Sequence, residues 1–147
     1  MTERKIDLHT QLAGSPGEVL LVTTALNLLK SGHTPTLNYN WNAEVLTATV
    51  DGKCVAALAF QVQAWRRTLF VEMGATEPDA KRQGHYRALW DRLVQIAQER
   101  KLSNIESGYV VTNTESEAMH KALGRPVIGH ITRFAVPEPA TTEEKAP

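Results

Sequence analysis

Residues 76–89 read TEPDAKRQGHYRAL, and this stretch decides the interpretation of the fold. A turn containing Pro78 leads into a basic loop, Lys81 to Gly84, where an amphipathic helical pattern begins, and an apolar, β-prone run at 69–73 precedes it. The first N–H groups of a helix have no intrahelical partner, and the helix dipole favours negative charge there. Because Gly84 has no Cβ, the main chain can approach an anion closely. The stretch therefore predicts that a phosphate-bearing ligand binds where the strand ends and the helix begins.

The segment from Gly84 to Lys101 has the clearest helical periodicity in the chain. One face is apolar, and the opposite face is mostly charged or amide. The apolar face consists of Tyr86, Leu89, Trp90, Leu93, Val94 and Ala97. We interpret Tyr86, Trp90 and Leu93 as core residues that pack this helix on a sheet.

Three strand patterns precede this helix. Residues 45–50 and 53–63 flank Asp51-Gly52, a dipeptide typical of tight β-hairpins. Arg66-Arg67 marks a second turn, and residues 68–73 form the third pattern. Successive strands joined by short turns predict an antiparallel meander.

An N-terminal helix is predicted over residues 17–31, after a short first strand at 6–12. Ser15 is the predicted N-cap, Pro16 occupies the first helical position and Glu18 completes a capping box. Apolar residues then recur at helical spacing, which predicts a buried stripe of Val19, Val22, Leu26 and Leu29, widened by Leu21, Ala25 and Leu28.

The C-terminal half predicts a strand at 104–111, a short helix at 114–123 and a last strand at 127–136. The tail, 137–147, holds three prolines and three glutamates and should be disordered when alone. We therefore expect one α/β domain over residues 1–136 followed by a tail. Its mixed sheet should be antiparallel in the first half, with a parallel pair around the long helix.

Bulk composition narrows the function classes. The chain has 147 residues and balanced charge, with 16 Lys plus Arg and 16 Asp plus Glu. We therefore expect no general attraction to nucleic acid or to an anionic membrane. No apolar run reaches the roughly 20 residues of a membrane span, and the charged first residues lack a signal-peptide core, so we expect a cytoplasmic protein. The five histidines lack metal-ligand spacing, so no metal site is expected.

Two segments together resemble the GNAT superfamily of N-acyltransferases. The first is Thr76-x-Pro78-x-x-Lys81-Arg82-Gln83-Gly84-x-Tyr86-Arg87-Ala88-Leu89, which is similar to the family's pyrophosphate loop. The second is Asn113-x-x-Ser116-x-x-x-His120-x-x-x-Gly124, which is similar to a family segment with Asn, Ala, Tyr and Gly at these spacings. Together with the element order, the resemblance covers roughly residues 43–135. It implies a GNAT-like domain (α/β, also described as α+β) with a mostly antiparallel mixed sheet and a splayed parallel strand pair flanked by helices.

The resemblance implies acetyl-CoA as cosubstrate. Lys81 matches the usual Arg or Gln of the loop. Main-chain groups of Met73 and Ala75 would pair with the pantetheine arm where the parallel strands splay, and Asn113 would lie near the thioester. The pyrophosphate would be held by main-chain amides of the loop, namely those of Arg82, Gln83, Gly84, His85 and Tyr86.

The resemblance also implies two catalytic side chains and an acceptor. Glu72 would be the general base for a primary amine that attacks the thioester directly, and His120 would be the general acid for the departing thiolate. His120 stands where the family often has Tyr, while Arg82 and Tyr86 stand where Gly or Ala is frequent. These departures keep a second hypothesis open: a catalytically silent GNAT-fold binding or structural subunit of a larger assembly, a viral one included. A homodimer is also compatible with the sequence, which does not identify the acceptor amine.

Overall fold

A computed structural model describes residues 3–31, 40–108, 118, 121–122, 127–128 and 131–139 of the chain. Two helices and seven strands have both of their ends within these residues. In chain order they are β1 (Arg4–His9), α1 (Glu18–Lys30), β2 (Glu44–Val50), β3 (Lys53–Gln63), β4 (Thr68–Thr76), α2 (His85–Glu99), β5 (Asn104–Gly108), β6 (Val127–Ile128) and β7 (Ile131–Ala135). Short 3₁₀ turns at Ala64–Arg66 and Pro78–Ala80 flank β4.

The strands form one mixed sheet in the order β1-β2-β3-β4-β5-β7-β6. Strands β1 to β4 pair antiparallel, β4 and β5 pair parallel, and β5, β7 and β6 pair antiparallel. The connection between the parallel strands contains α2, as a βαβ unit requires. The predicted fold class, with its antiparallel first half and its parallel pair around the long helix, is confirmed. Asp51 and Gly52 both have positive φ, 53° and 77°, which is the conformation of the predicted hairpin turn.

Each face of the sheet carries its own core. On one face, α2 buries Leu89, Trp90 and Leu93 against Leu58 and Phe60, as its periodicity predicts. The ring of Trp90 also meets that of Phe134 edge-on, with centroids 5.1 Å apart. On the other face, α1 covers a smaller core of largely alanine side chains from β3 and β4. Alanine side chains extend only a short distance from the sheet, so α1 packs close to it.

The predicted buried stripe of α1 is confirmed at Leu21 and Ala25 but is wrong at its centre. Leu21 and Ala25 are the buried residues of this helix, whereas Val19 is 77% exposed and Leu26 is 43% exposed. The hydrophobic stripe is broader than the contact, and a small side chain, Ala25, faces the sheet because the helix approaches it closely.

The predicted cap of α1 is also wrong. Gly17, not Ser15, is the N-cap residue, and the helix begins at Glu18. The hydroxyl oxygen of Ser15 is buried without a hydrogen-bond partner among the described residues. Glu18 Oε1 instead accepts a hydrogen bond from the Gly14 main-chain N–H at 2.9 Å, so the carboxylate reaches back one residue further than a capping box does.

Strand boundaries differ from the predictions in three places. The first strand is Arg4–His9, which begins earlier than 6–12, and β4 continues to Thr76. The predicted last strand at 127–136 is two short strands that pair with each other antiparallel, Val127 opposite Thr132. Of the predicted helix at 114–123, the structure describes only Ala118, Lys121 and Ala122, which are helical. The division into a domain and a tail stays a prediction; Pro137 O accepts a hydrogen bond from Gln98 Nε2 at 2.8 Å.

Candidate functional site

The basic loop turns through two left-handed residues into α2. Lys81 is extended, Arg82 has φ 65°, and Gly84, the N-cap of α2, has φ 82°. The side chains of Lys81, Arg82 and Gln83 are exposed. A left-handed conformation suits glycine and strains other residues, which explains the glycine at 84 and makes Arg82 a strained position.

The start of α2 is open to an anion. No side chain caps it, and its first turn contains no acidic residue. The first intrahelical bond runs from Ala88 N–H to Gly84 O at 3.0 Å, so the N–H groups before Ala88 lie ahead of the helical ladder. Lys81 and Arg82 add cationic charge beside these donors. The arrangement has the donors, the dipole and the charge that a phosphate group requires.

Tyr86 does not obstruct this opening, because its ring points toward the sheet. A Cβ built on Gly74 would lie 2.5 Å from Tyr86 Cε1 and 2.7 Å from the Tyr86 hydroxyl oxygen. The ring therefore lies directly over the β4 main chain at Gly74, and it packs against the α2-side core. Gly74 makes the bulky residue at 86 compatible with the loop.

Arg4, from β1, joins this loop from the side. Its Nε donates to His85 Nδ1 at 3.0 Å, and its Nη2 donates to Gln83 O at 3.1 Å. His85 is 7% exposed, and its Nε2 lies 3.3 Å from Gln83 Oε1. Burial, and secondarily the Arg4 guanidinium, lower the pKa of His85. His85 thus contacts Arg4 and Gln83 with its side chain, while only its main chain faces the predicted anion.

The parallel pairing of β4 with β5 ends well before β4 does. The register runs from Thr68 with Asn104 to Val71 with Ser107, whereas β4 continues to Thr76 alongside β3. Among the described residues, which on this side of β4 end at Gly108, none pairs with that edge of β4 beyond Val71. This is the edge at which a ligand could add main-chain hydrogen bonds.

The β3–β4 register decides which β4 residues face that edge. Glu77 N–H donates to Val55 O at 2.8 Å, just past the end of β4. Hydrogen-bonded and non-hydrogen-bonded pairs alternate along an antiparallel ladder. Ala75 and Met73, which lie two and four positions before Glu77 in the same register, therefore also direct their main-chain groups to β3.

Gly74 and Thr76 direct their main-chain groups to the free edge instead. The sequence-based expectation was that Met73 and Ala75 would contact the pantetheine arm. The side chains of Met73 and Ala75 belong to the α1-side core, and their main chains are used by β3. The register therefore favours Gly74 and Thr76 for the main-chain contacts.

A β-bulge places Glu72 at the start of this free edge. Ala59 pairs with Met73 but Phe60 pairs with Val71, so Glu72 is the extra residue on β4. Val71 packs in the α2-side core and Met73 in the α1-side core, which strict alternation would not allow. Bulges re-aim side chains and are frequent beside active sites. Here the bulge changes which β4 side chains point to each side of the sheet. It does so at Glu72, the predicted general base.

Asn40 holds the carboxylate of Glu72. Asn40 Nδ2 donates to Glu72 Oε2 at 3.0 Å and to Gln61 Oε1 at 2.9 Å, and Asn40 Oδ1 accepts from Asn42 N–H at 3.0 Å. Glu72 is neither fully buried nor fully exposed. One carboxylate oxygen is thus fixed by an amide whose own orientation is fixed by two neighbours.

A second carboxylate lies on the neighbouring strand. Glu106 of β5 is opposite Phe70, two residues before Glu72, and its side chain is 3% exposed. Arg66 Nη2 contacts Glu106 Oε1 at 2.7 Å, and Arg66 Nε donates to Gln63 Oε1 at 2.6 Å. A buried carboxylate requires such a partner. Glu106 and Arg66 therefore form a structural ion pair at the β3–β4 turn.

Two predicted site residues, Asn113 and His120, lie outside the described residues. Among the residues that are described, no three His, Cys, Asp or Glu side chains are grouped so as to hold a metal ion. No helix in the described part of the chain is long and apolar enough to span a membrane. The described part of the candidate site therefore consists of Glu72, in the middle of β4, and the 81–86 loop, which follows β4 in the chain.

A sequence profile of the Acetyltransferase (GNAT) family matches residues 22–124. The match includes the basic loop, the bulge and both strands of the parallel pair. This chain belongs to the GNAT family. No curated protein has a sequence that matches this GNAT chain.

Solved GNAT structures share the fold. A ribosomal-protein-alanine N-acetyltransferase from Brucella melitensis superimposes with a TM-score of 0.68 at 18% identity, covering 89% of this chain and 99% of that one. The ribosomal-protein-S18-alanine N-acetyltransferase from Escherichia coli gives 0.64 at 16% identity, covering 95% and 97%. An N-acetyltransferase from Staphylococcus aureus Mu50 gives 0.67 at 11% identity, covering 92% and 99%. At these identities the likeness shows the fold.

Sequence reasoning missed the side chains that support the site. Asn40 and Gln61, which hold or accompany Glu72, were not singled out, and neither was Arg4. Arg4 and His85 are 81 positions apart in the chain, and Asn40 and Glu72 are 32 apart. No local pattern marks such residues, because they meet only through the strand order of the sheet.

Proposed function

We propose that this GNAT protein is an N-acetyltransferase that moves the acetyl group of acetyl-CoA to a primary amine. The open, uncapped start of α2, preceded by two cationic residues, is the observation that carries the proposal. The family membership supports acetyl transfer, and the free edge of β4 supports an extended arm beside Gly74 and Thr76.

The loop residues bind the diphosphate of the cosubstrate. Main-chain N–H groups of the 82–86 segment donate to its oxygens, and Lys81 and Arg82 offset its charge. Gly84 has no side chain that would occupy the anion position. The exposed Lys81 and Arg82 remain accessible to the solvent, so we expect binding to weaken as the salt concentration rises.

Glu72 accepts the proton of the acceptor ammonium. Asn40 holds Oε2, so Oε1 is the oxygen that takes the proton, directly or through a water molecule. The amine nitrogen then forms a bond to the thioester carbonyl carbon, the resulting tetrahedral adduct loses the second nitrogen proton to solvent, and the carbon–sulfur bond breaks with its electron pair on sulfur. Main-chain N–H groups on the free edge of β4 polarise the carbonyl oxygen. Proton donation to the leaving thiolate is the role we propose for His120, and contact near the thioester is the role we propose for Asn113.

Calorimetry with acetyl-CoA and a thiol-release assay test the proposal together. The amine panel contains small primary amines, polyamines, aminoglycosides and peptides with free N-termini. The peptides include N-terminal alanine, the acceptor after which two of the structural neighbours are named. We expect acetyl-CoA to bind and at least one amine to release CoA.

Glu72→Gln separates catalysis from binding. This variant keeps an oxygen that can accept the Asn40 hydrogen bond but loses the base, so we expect kcat to fall by about 10²–10⁴-fold with unchanged acetyl-CoA affinity. Binding of acetyl-CoA without turnover of any amine would instead favour the silent subunit. Failure of a folded protein to bind acetyl-CoA would refute the enzymatic proposal.

A further inference from the structure

A chain of side-chain hydrogen bonds ties β1 to the phosphate-binding loop. Arg4 Nε donates to His85 Nδ1, His85 Nε2 lies beside Gln83 Oε1, and Gln83 Nε2 donates to Asp79 O at 3.4 Å. A second branch runs from Arg4 Nη2 to Gln83 O. This chain of hydrogen bonds therefore joins β1, the first residue of α2, the loop and the 3₁₀ turn before the loop.

The donors in this chain fix the protonation of His85. An arginine can only donate, so His85 Nδ1 must be the acceptor and carry no proton. The ring proton then lies on Nε2, from which it is donated to Gln83 Oε1. Each group donates to the next from Arg4 to Asp79, with His85 neutral. A protonated His85 would turn an N–H toward the Arg4 N–H and set two cations against each other.

We propose that Arg4 is a positioning residue for the phosphate-binding loop, and that it holds the loop only while His85 is neutral. This inference rests on the proposed function, because it assigns the loop to acetyl-CoA. Arg4 acts through Gln83 and His85, whose main chains form the predicted anion site. Arg4 Nη2 lies 3.6 Å from the position of a Cβ on Gly84, so its charge is also close to that site.

The pH dependence has a defined direction. The pKa of His85 lies below its ordinary value of 6.5 because of burial and the Arg4 charge. At neutral pH the ring is therefore uncharged and the chain of hydrogen bonds is intact. As pH falls through the lowered pKa, His85 becomes charged, the Arg4 bond is lost and the loop loosens. Affinity for CoA should be retained at neutral pH and lost only as the pH falls through the lowered pKa of His85.

The charged neighbours of His85 do not offset this effect. Arg4, from β1, is the charged group that acts on the His85 ring. Lys81 and Arg82 precede His85 in the loop with exposed side chains. Asp79 joins the chain of hydrogen bonds through its main-chain oxygen. A positive charge on His85 would therefore arise beside the Arg4 cation, which opposes its formation.

Arg4→Gln, with Lys5→Gln as its matched control, tests the positioning role. Both variants remove one positive charge from β1, but no hydrogen bond links Lys5 to the described part of the loop. We expect Arg4→Gln to weaken CoA binding about tenfold at pH 7.5, the effect of one charge-assisted hydrogen bond. Lys5→Gln should bind like the wild type. Equal affinities for the two variants would overturn the inference and leave the proposed function intact.

His85→Asn tests the protonation step. Asn Oδ1 can stand in for Nδ1 as the acceptor for Arg4, and the variant does not titrate at this position. The phosphates of CoA also titrate near pH 6, so the quantity measured is the ratio of wild-type to variant affinity between pH 5 and 8. We expect this ratio to fall on the acid side. A ratio that is constant with pH would contradict the role of His85.

A nuclear magnetic resonance titration of the ligand-free protein makes the test independent of CoA binding. We expect the ring proton of His85 on Nε2 and a pKa below 6.5, and we expect that pKa to rise in Arg4→Gln but not in Lys5→Gln. A proton on Nδ1, or a pKa that is insensitive to Arg4, would overturn the inference. Absence of CoA binding by the wild type would refute the proposed function, and this titration would still decide the link between Arg4 and His85.

Discussion

The two helices begin in opposite ways. At the start of α1, Gly17 is buried, Glu18 places a negative charge in the first turn and its carboxylate accepts the Gly14 N–H. At the start of α2, Gly84 is exposed, the first turn holds no acid and the preceding residues are cationic. The start of α1 therefore carries a negative charge supplied by the chain, whereas the start of α2 lies beside positive charge.

This difference is the one we expect between a structural helix start and the proposed binding site at α2. Both helices have a glycine N-cap without a side-chain cap, so the glycine alone does not identify a site. What distinguishes the start of α2 is the positive charge beside its N-cap glycine and the exposure of that glycine. An anion placed at α1 would meet Glu18, whereas an anion placed at α2 would meet Lys81 and Arg82.

Gly84→Asp should have the largest effect. Its carboxylate would occupy the position of the phosphate, and juxtaposed like charges cost several kcal/mol. We expect acetyl-CoA affinity, measured by calorimetry, to fall by at least about a hundredfold.

Gly14→Asp is the matched control at the other helix. Gly14 has φ 78° against 82° for Gly84, and no atom lies within 4 Å of a Cβ built there. The two substitutions therefore impose similar backbone strain and the same charge. Gly14→Asp should leave acetyl-CoA affinity unchanged. Equal losses in the two variants would mean that the loss at Gly84 is an effect of strain or net charge.

Gly17→Ala should have the opposite profile, with lost stability and unchanged binding. A Cβ on Gly17 would lie 2.8 Å from Ala57 Cβ, and φ at Gly17 is −91°, so the main penalty is steric overlap and not backbone strain. Overpacking of this kind costs about 1–3 kcal/mol in the free energy of unfolding, measurable by urea denaturation. Combination with Ala57→Gly should recover part of the loss. An additive double variant would contradict the contact as the cause.

Much of the fold follows from local pattern. The Asp51-Gly52 turn, the meander and the buried face of α2 are set by residues close together in the chain, so periodicity and turn chemistry were sufficient. The buried face of α1 was predicted too broadly, because its apolar stripe contains Leu21 and Ala25 but extends beyond the contact. Only the small residues of β3 and β4 show which part of the stripe meets the sheet, and those are distant in sequence.

In the candidate site, too, only the part that is contiguous in sequence could be predicted. The loop from Lys81 to Tyr86 is contiguous, and its cations and glycine were visible in the sequence. The direction of the β4 main-chain groups was not visible in the sequence, because the bulge at Glu72 shifts the register by one residue. As a result, the N–H and C=O groups that point away from β3 are those of Gly74 and Thr76. A single inserted residue in a ladder has no sequence signal of its own.

Arg82→Gly should stabilise the protein while weakening the ligand site. The left-handed conformation of Arg82 costs roughly 1–2 kcal/mol, and the extra freedom of glycine in the unfolded chain costs about 0.5–1 kcal/mol, so a gain of about 0–1.5 kcal/mol remains. The lost cation should lower acetyl-CoA affinity severalfold at low salt. Arg82→Asn, which also tolerates φ near 65° but removes the charge, should lose similar affinity. Preserved affinity in both variants would exclude Arg82 from the anion site.

Glu18→Gln should have the smallest effect, and it tests the start of α1, where Glu18 lies in the first turn. The variant keeps an oxygen for the Gly14 N–H and removes only the charge near the N-terminal dipole, which is worth about 0.3–1 kcal/mol at low salt. Glu18→Ala also removes the acceptor and should lose about 1 kcal/mol more. Urea unfolding at low and high salt separates the two terms, because salt screens the dipole contribution and leaves the hydrogen bond. Acetyl-CoA affinity should not change in either variant, since the negative charge at α1 serves that helix and not the ligand. A change in affinity would show that the two helix starts are coupled through the sheet.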